Sequence, residues 1–217
     1  MPKPAKVTKS PAEGRKSAYF ARNKLAIINS TQEVLASTGP GATIDQVAEH
    51  AEVSVSTIYK HFESKEILFQ AAFSGAMNSW EEWAFEVIQS QIDPLARLVT
   101  PMRLFPRIKR THPIYAGMAA KNSAELPAYL PSMTKGFQTT VTELVKTKIL
   151  TVTDIEIRFH FVMICIAEIL IKQVRDPSAK ESDIDIEIEI LLGLLGIAPA
   201  QAKKLCSSEL PNFASPK

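Results

Sequence analysis

Residues 54 to 61 carry short polar, aromatic and basic side chains on a segment with helical apolar spacing. Ile58 and Phe62 are four residues apart and share one predicted buried face, so the side chains between them point outward. Short polar or apolar side chains and lysine are the groups that contact base edges in a DNA groove. The outward positions are Val55, Ser56, Thr57, Tyr59 and Lys60, and we expect base contacts from Val55, Ser56 and Lys60.

Two short helices joined by a tight turn are predicted to position this segment. Thr43 and Gln46 form a capping box, which satisfies free amides at a helix start. Val53 fills the turn that follows, and Ser54 can cap the next helix. This pattern predicts a helix-turn-helix, whose second helix enters the DNA major groove. The apolar face of its first helix consists of Ile44, Val47, Ala48 and Ala51.

The same segment resembles the DNA-binding domain of TetR-family transcriptional regulators over roughly residues 20–68. Two positions depart from the family pattern, since Glu52 and Ser56 stand where the family usually or often has glycine. A residue other than glycine in a left-handed turn costs about 1 kcal/mol. The resemblance rests on Thr43, Val47, Ala48, Ala51, Val53, Ser54, Ser56, Thr57, Tyr59, His61, Phe62, Ser64, Lys65 and Glu66.

The resemblance also implies roles for side chains around the recognition helix. It places Tyr59 and His61 against DNA phosphates, with Thr43 at the start of the second helix and Lys65 at the start of the fourth. Helix starts bind phosphate through free amides and the helix dipole, which suits Thr43 and Lys65. The alternative for Tyr59 and His61 is packing between helices.

The composition is compatible with a large helical core and shows one local concentration of charge. Of the 217 residues, 46% are hydrophobic, and the net charge is only +2. Residues 1–24 nevertheless hold seven basic side chains and one acid, a local charge of +6 beside the DNA-binding motif. Residues 1–17 are therefore predicted to be a flexible basic tail, which either touches phosphates or stays solvated.

No enzyme or metal chemistry is predicted for the rest of the chain. Glycine-rich phosphate loops and the common hydrolase and metalloprotease motifs are missing from the sequence. Cys165 and Cys206 have no metal-binding or disulfide spacing, which favours a reducing compartment. We find neither a secretory segment nor an apolar run long enough to span a bilayer, so we expect a cytoplasmic protein without cofactor, metal or membrane contact.

Helical periodicity divides the chain into two functional regions. Residues 18–66 are predicted to bind DNA and residues 67–200 to form a helical domain, followed by a flexible tail at 201–217. Pro101, Pro106 and Pro113 should break residues 93–126 into short helices.

Large aromatic and flexible side chains in this helical region could line an apolar cavity, although plain core packing is the alternative for each of them. The resemblance favours the cavity, because TetR-like proteins bind small ligands in this region. The residues expected to line it are Trp83, Phe105, Tyr115, Met118, Phe137 and Phe161.

The last two predicted helices, at about 153–174 and 183–196, are too apolar for a solvent-exposed surface. Residues 183–190 alternate with period two, a strand signal, but Ile184 and Ile188 also fit one helical face. We predict a helix, since the sequence offers no partner strand, and its opposite flank then needs a second neighbour. The resemblance implies a four-helix bundle with a twofold mate, with Ile166 expected in the seam.

Together these features predict an all-α protein with an N-terminal three-helix helix-turn-helix domain and a C-terminal ligand-binding and dimerisation domain. The expected function is that of a homodimeric regulator, a repressor, that binds a palindromic operator in duplex DNA. A small, mainly apolar effector would release it from that operator. The alternative is a DNA-binding protein that is architectural or regulated by a protein partner.

Overall fold

The computed structural model describes residues 11–88, 91–124 and 135–211, and the regular structure of these residues is entirely helical. The predicted all-α fold is therefore confirmed. Two 3₁₀ segments, Gly39–Gly41 and Phe105–Arg110, interrupt the α-helices. The α-helices are α1 Pro11–Thr38, α2 Ile44–His50, α3 Val55–His61, α4 Lys65–Ile88, α5 Pro94–Leu104, α6 Pro113–Lys121, α7 Lys135–Lys146, α8 Ile155–Arg175, α9 Glu181–Leu194 and α10 Pro199–Ser207.

Helices α1 to α3 form the N-terminal unit, and α4 packs against it. Helix α1 starts at Pro11, seven residues earlier than the predicted start at Ala18. Part of the segment predicted to be a flexible tail is therefore helical, and residues 1–10 lie outside the described residues. The core of the unit includes Ile27, Leu35, Val47 and Ile58, each fully buried.

The prolines shape the middle of the chain, although not all of them end a helix. Asp93 caps α5 by accepting a hydrogen bond from the Leu95 amide, and Pro94 takes the first helical position. Helix α5 then runs through Pro101, where a break was predicted. Pro113 starts α6 as expected from its fixed φ and missing amide hydrogen.

Helices α8 and α9 confirm the helical prediction for the last apolar segments. The period-two isoleucines of α9 divide between two environments: Ile184 and Ile188 are fully buried, whereas Ile186 is 59% and Ile190 is 70% exposed. The alternating pattern therefore marks a helix with two apolar flanks. Only one of these flanks is covered within the protomer.

Helix α10 was not predicted, since the sequence analysis expects a flexible tail from residue 201. Pro199 opens the helix, and Ala202 and Cys206, one turn apart, are buried. Burial also raises the pKa of the Cys206 thiol to about 11. The helix packs against α9 and α5 and so belongs to the folded domain.

The N-terminal unit is held to the rest of the fold mainly through α1 and α6, which pack side by side. The Asn122 side-chain amide donates to the Leu35 carbonyl oxygen at 3.2 Å, and Lys121 Nζ donates to the Ser37 carbonyl oxygen. Gln32 Nε2 donates to the Ala72 carbonyl oxygen of α4 at 3.0 Å. Movements of α4 or α6 are thereby coupled to the unit that contains α2 and α3.

A buried charge cluster joins α5 and the second 3₁₀ segment to α9. Arg103 Nε and Arg107 Nη2 each donate to one carboxylate oxygen of Asp185, at 2.7 and 2.9 Å. Both arginine side chains are almost completely buried. Arg103 also donates to the Leu205 carbonyl oxygen, so the cluster extends to α10. Asp185 therefore compensates two cations that are almost completely shielded from water.

Candidate DNA-binding surface and ligand cavity

The turn between α2 and α3 closes in the way that the sequence predicts. Thr43 accepts from the Gln46 amide at 3.2 Å, and the Gln46 side chain accepts from the Thr43 amide at 2.9 Å, completing the capping box. Glu52 adopts a left-handed φ of 53°. The Val53 amide then donates to the Ala48 carbonyl oxygen at 2.9 Å, a Schellman closure that usually uses glycine. This turn fixes the angle at which α3 leaves α2.

Helix α3 presents a polar face to solvent. Ser56, Tyr59 and Lys60 are exposed, whereas Ile58 is fully buried. Thr57 is half-buried, and its hydroxyl lies 2.8 Å from Ser54 Oγ at the helix start. Val55 is also half-buried and packs against the core. Of the predicted contact residues on α3, Ser56, Tyr59 and Lys60 are thus the most accessible to DNA.

The side chains assigned to phosphates by resemblance differ in how far they are already engaged. The Thr43 hydroxyl is used in the capping box. His61 packs its ring on Phe20 with centroids 3.9 Å apart, and burial, followed by the charge of Lys24, lowers its pKa. The lowered pKa favours the neutral form of His61, and the ring packs against α1.

Lys65 lies at the start of α4, directly after the recognition helix and its short linker. Its Nζ sits 5.0 Å from the centroid of the Phe69 ring, a cation–π contact that leaves its N–H groups available. Ser64 accepts from the Ile67 amide and so caps this helix. The arrangement places a cation at the positive end of a long helix, where an anion is favoured.

A cavity of about 200 Å³ opens between α4, α5 and α7. Its walls are mainly apolar, with Glu81, Arg97 and Thr140 as the polar side chains. Among the residues predicted to line a cavity, Phe137 is in this site. The lining consists of Trp80, Glu81, Ala84, Phe85, Ile88, Arg97, Leu98, Pro101, Phe137 and Thr140.

The remaining residues predicted to line a cavity are placed elsewhere. Phe105, Tyr115 and Met118 line a second space of only about 20 Å³ between α4, α6 and α8. Trp83 packs edge-on against His112, which in turn stacks on Tyr115. Phe161 lines neither space and is 56% exposed on α8. The apolar surface of α8 could not reveal which flank faces inward.

Helices α8 and α9 pack against each other, and each carries exposed apolar side chains. On each helix the successive members are three or four residues apart, so they lie on one side of that helix. Ile166, the residue predicted for the seam, is 1% exposed and points into the protomer instead. The exposed side chains are Ile157, Phe161 and Ile164 on α8, and Ile186, Ile190 and Leu194 on α9.

Within residues 11–88, 91–124 and 135–211, no cluster of His, Cys, Asp and Glu side chains is arranged to hold a metal ion. None of the helices in this described part is long and apolar enough to cross a membrane.

Comparisons with known proteins agree with the fold. Residues 27–72 match the family profile described as bacterial regulatory proteins, tetR family. No curated protein sequence matches the chain closely enough to count as a relative.

Solved structures extend the likeness to most of the chain. RolR in complex with resorcinol has 19% identity and a TM-score of 0.69, covering 91% of this chain and all of that one. FadR from Bacillus halodurans has 17% identity and a TM-score of 0.62, covering 85% and 96%. FadR from Bacillus subtilis in complex with stearoyl-CoA has 18% identity and a TM-score of 0.56, covering 84% and 97%.

These structures share the fold, and the matched segment contains the whole helix-turn-helix described above. The capped α2, the left-handed turn at Glu52 and the polar face of α3 supply the geometry of a major-groove reader. On these grounds residues 27–72 form a DNA-binding segment of the tetR family type, and the described part of the chain shares the fold of the solved regulators.

Proposed function

We propose that this protein is a TetR-type transcriptional repressor whose operator affinity falls when a small, mainly apolar effector enters the cavity between α4, α5 and α7. The observation that carries the proposal is the path of α4. This helix begins at Lys65 beside the recognition helix and reaches the cavity with Trp80, Ala84 and Ile88. We expect α4 to exchange between two tilts, one that fits DNA binding and one that does not. A ligand shifts this equilibrium only if it binds the protein more tightly in one tilt than in the other.

We assign DNA contacts to the predicted residues according to their exposure. Ser56 and Lys60, with Val55 at the edge, are proposed to meet base edges, and Thr57 supports the start of α3. Tyr59 and Lys65 are proposed to bind phosphates. Thr43 and His61 stay in the proposed interface, with their side chains mainly holding the helices that carry the contacts. Residues 18–66 are thus the proposed DNA-binding domain, and residues from 67 onward bind the effector and dimerise.

The apolar face of α8 and α9 supports a homodimer. Ile186 and Ile190 are exposed on α9, and Phe161 is exposed on α8, the helix that packs against it. Large exposed apolar patches mark association surfaces. A twofold mate covers the same patch on both protomers and sets two recognition helices about one helical turn of DNA apart.

The cavity also supports a small effector over a bulky one. An apolar cavity of about 150 Å³ is enough to bind benzene, so about 200 Å³ suits a single-ring compound. Of the neighbouring structures, RolR holds resorcinol and FadR from Bacillus subtilis holds stearoyl-CoA. The size of the cavity favours a ligand about as large as resorcinol. It also argues against a purely architectural role, for which a solid helical domain would be expected.

Replacing Lys65 with alanine tests the DNA-binding part of this proposal. We expect weaker binding to all duplex sequences, because a phosphate contact carries no base information. The slope of log K against log salt should fall by about one unit for each protomer bound. Fluorescence anisotropy with a labelled duplex at several salt concentrations measures both effects.

The matched control is Lys203→Ala, which removes an exposed lysine on α10. That variant should keep the wild-type salt slope. A Lys65→Ala protein with the wild-type slope and an altered base preference would show that Lys65 reads bases and not phosphate.

A further inference from the structure

The cavity between α4, α5 and α7 contains two polar groups that its walls do not satisfy. Trp80 is fully buried and lines the cavity, and its indole Nε1 has no hydrogen-bond partner among the described residues. Glu81, the next residue of α4, also lines the cavity, and its buried Oε1 atom lacks a partner in the same part of the chain. Buried polar groups are nearly always hydrogen-bonded, so each of these points to a bound molecule that completes it.

The remaining walls define the shape of that molecule. Phe137 stacks on Trp80 with nearly parallel rings, 6.0 Å between centroids, and Phe105 meets Trp80 edge-on at 4.9 Å. Phe85 is exposed at the mouth. The volume of about 200 Å³ and these flat surfaces suit one aromatic ring.

The charges select among aromatic compounds. A carboxylate ligand would be repelled by Glu81, and the Arg97 side chain that could attract it is exposed to solvent. An ammonium group would satisfy Glu81 but offers no lone pair to the Trp80 N–H group. A hydroxyl group donates to a carboxylate and accepts from an N–H, so it matches both requirements.

Resting on the effector site proposed above, we infer that this site selects a single-ring phenolic compound, whose hydroxyl group donates to Glu81 and accepts from Trp80. Burial raises the pKa of Glu81, which agrees with a carboxyl group lacking a compensating charge. Glu81 is thus the proposed specificity residue of the cavity. The apolar walls supply affinity without discriminating between a phenol and a hydrocarbon of the same size.

Calorimetric titration of the full chain with phenol, toluene and benzoate tests this assignment. We expect wild-type protein to bind phenol at least about tenfold more tightly than toluene, and benzoate no more tightly than toluene, because only phenol pairs both groups. Glu81→Leu should bring the ratio of phenol to toluene affinity close to one. Glu81→Gln keeps an acceptor and should retain part of the preference, which guards against a folding defect in the leucine variant.

Glu82→Leu is the matched control, since Glu82 is the adjacent, exposed glutamate of α4 and does not line the cavity. This variant should keep the wild-type ratio of phenol affinity to toluene affinity. The inference is overturned if Glu81→Leu retains the full preference for phenol, if benzoate binds more tightly than phenol, or if neither phenol nor toluene binds.

A parallel measurement of DNA affinity separates this inference from the proposed function. If phenol and toluene bind equally well and both release DNA, the effector site stands and the selection by Glu81 is wrong. If phenol is preferred through Glu81 but leaves DNA affinity unchanged, the selection stands and the regulatory role of the cavity is wrong.

Discussion

Replacing Asp185 with alanine is expected to lower the free energy of unfolding by about 3 kcal/mol. The substitution leaves Arg103 and Arg107 buried without the carboxylate that pairs with both. We place the effect at the lower end for a broken buried ion pair, because the Asp185 side chain is 28% exposed and water can partly replace it. Urea denaturation followed by circular dichroism measures the change.

Glu181→Ala is the matched control for this prediction. Glu181 lies one turn before Asp185 on the same helix, and its half-exposed side chain pairs with the exposed Arg110 at 3.3 Å and only distantly, at 3.9 Å, with Arg107 Nε. Its removal should cost at most about 1 kcal/mol, as expected for a surface ion pair. Equal effects of the two substitutions would mean that the buried arginines do not depend on Asp185.

Replacing Ile190 with aspartate is expected to dissociate the proposed homodimer. Ile190 is 70% exposed in the protomer, so the folded monomer tolerates the change, but a mate would bury an unpaired carboxylate on each side. A loss of about 3 kcal/mol corresponds to a rise of more than 100-fold in the dimer dissociation constant. Operator affinity should fall as well, because two linked recognition helices no longer bind together.

Analytical ultracentrifugation over a range of protein concentrations follows this equilibrium. Phe161→Asp on the facing helix should have the same effect, while Ile92→Asp, which changes a 93% exposed isoleucine before α5, should leave the dimer intact. A wild-type monomer at micromolar concentration, or an unchanged dimer in both interface variants, would rule out this face as the seam.

Local patterns were sufficient to predict the helix-turn-helix. The capping box at Thr43, the apolar spacing of α2 and α3 and the position of Lys65 all lie within one short stretch, where sequence separation equals spatial proximity. Local spacing was also sufficient to predict that α9 is a helix. There, Ile184 and Ile188 fit a helical face despite the alternating pattern.

The cavity could not be assembled in this way, since its walls come from three helices that meet only through tertiary packing. Glu81 follows Trp80 inside an otherwise apolar stripe, and that polar residue was the one local signal for the site. The sequence also could not predict which of Phe161 and Ile166 is buried within the protomer. On a helix that is apolar nearly all round, composition does not tell which flank faces the protomer and which faces a mate.

Selection of duplexes from a randomised DNA pool by the purified protein, followed by sequencing, tests the central claim most directly. A dimeric helix-turn-helix regulator should enrich one inverted repeat with half-sites about one helical turn, roughly 10 base pairs, apart. Phenol at a saturating concentration should then reduce recovery of that repeat. Recovery of duplexes with no common sequence, at an affinity that depends only on salt, would contradict the account.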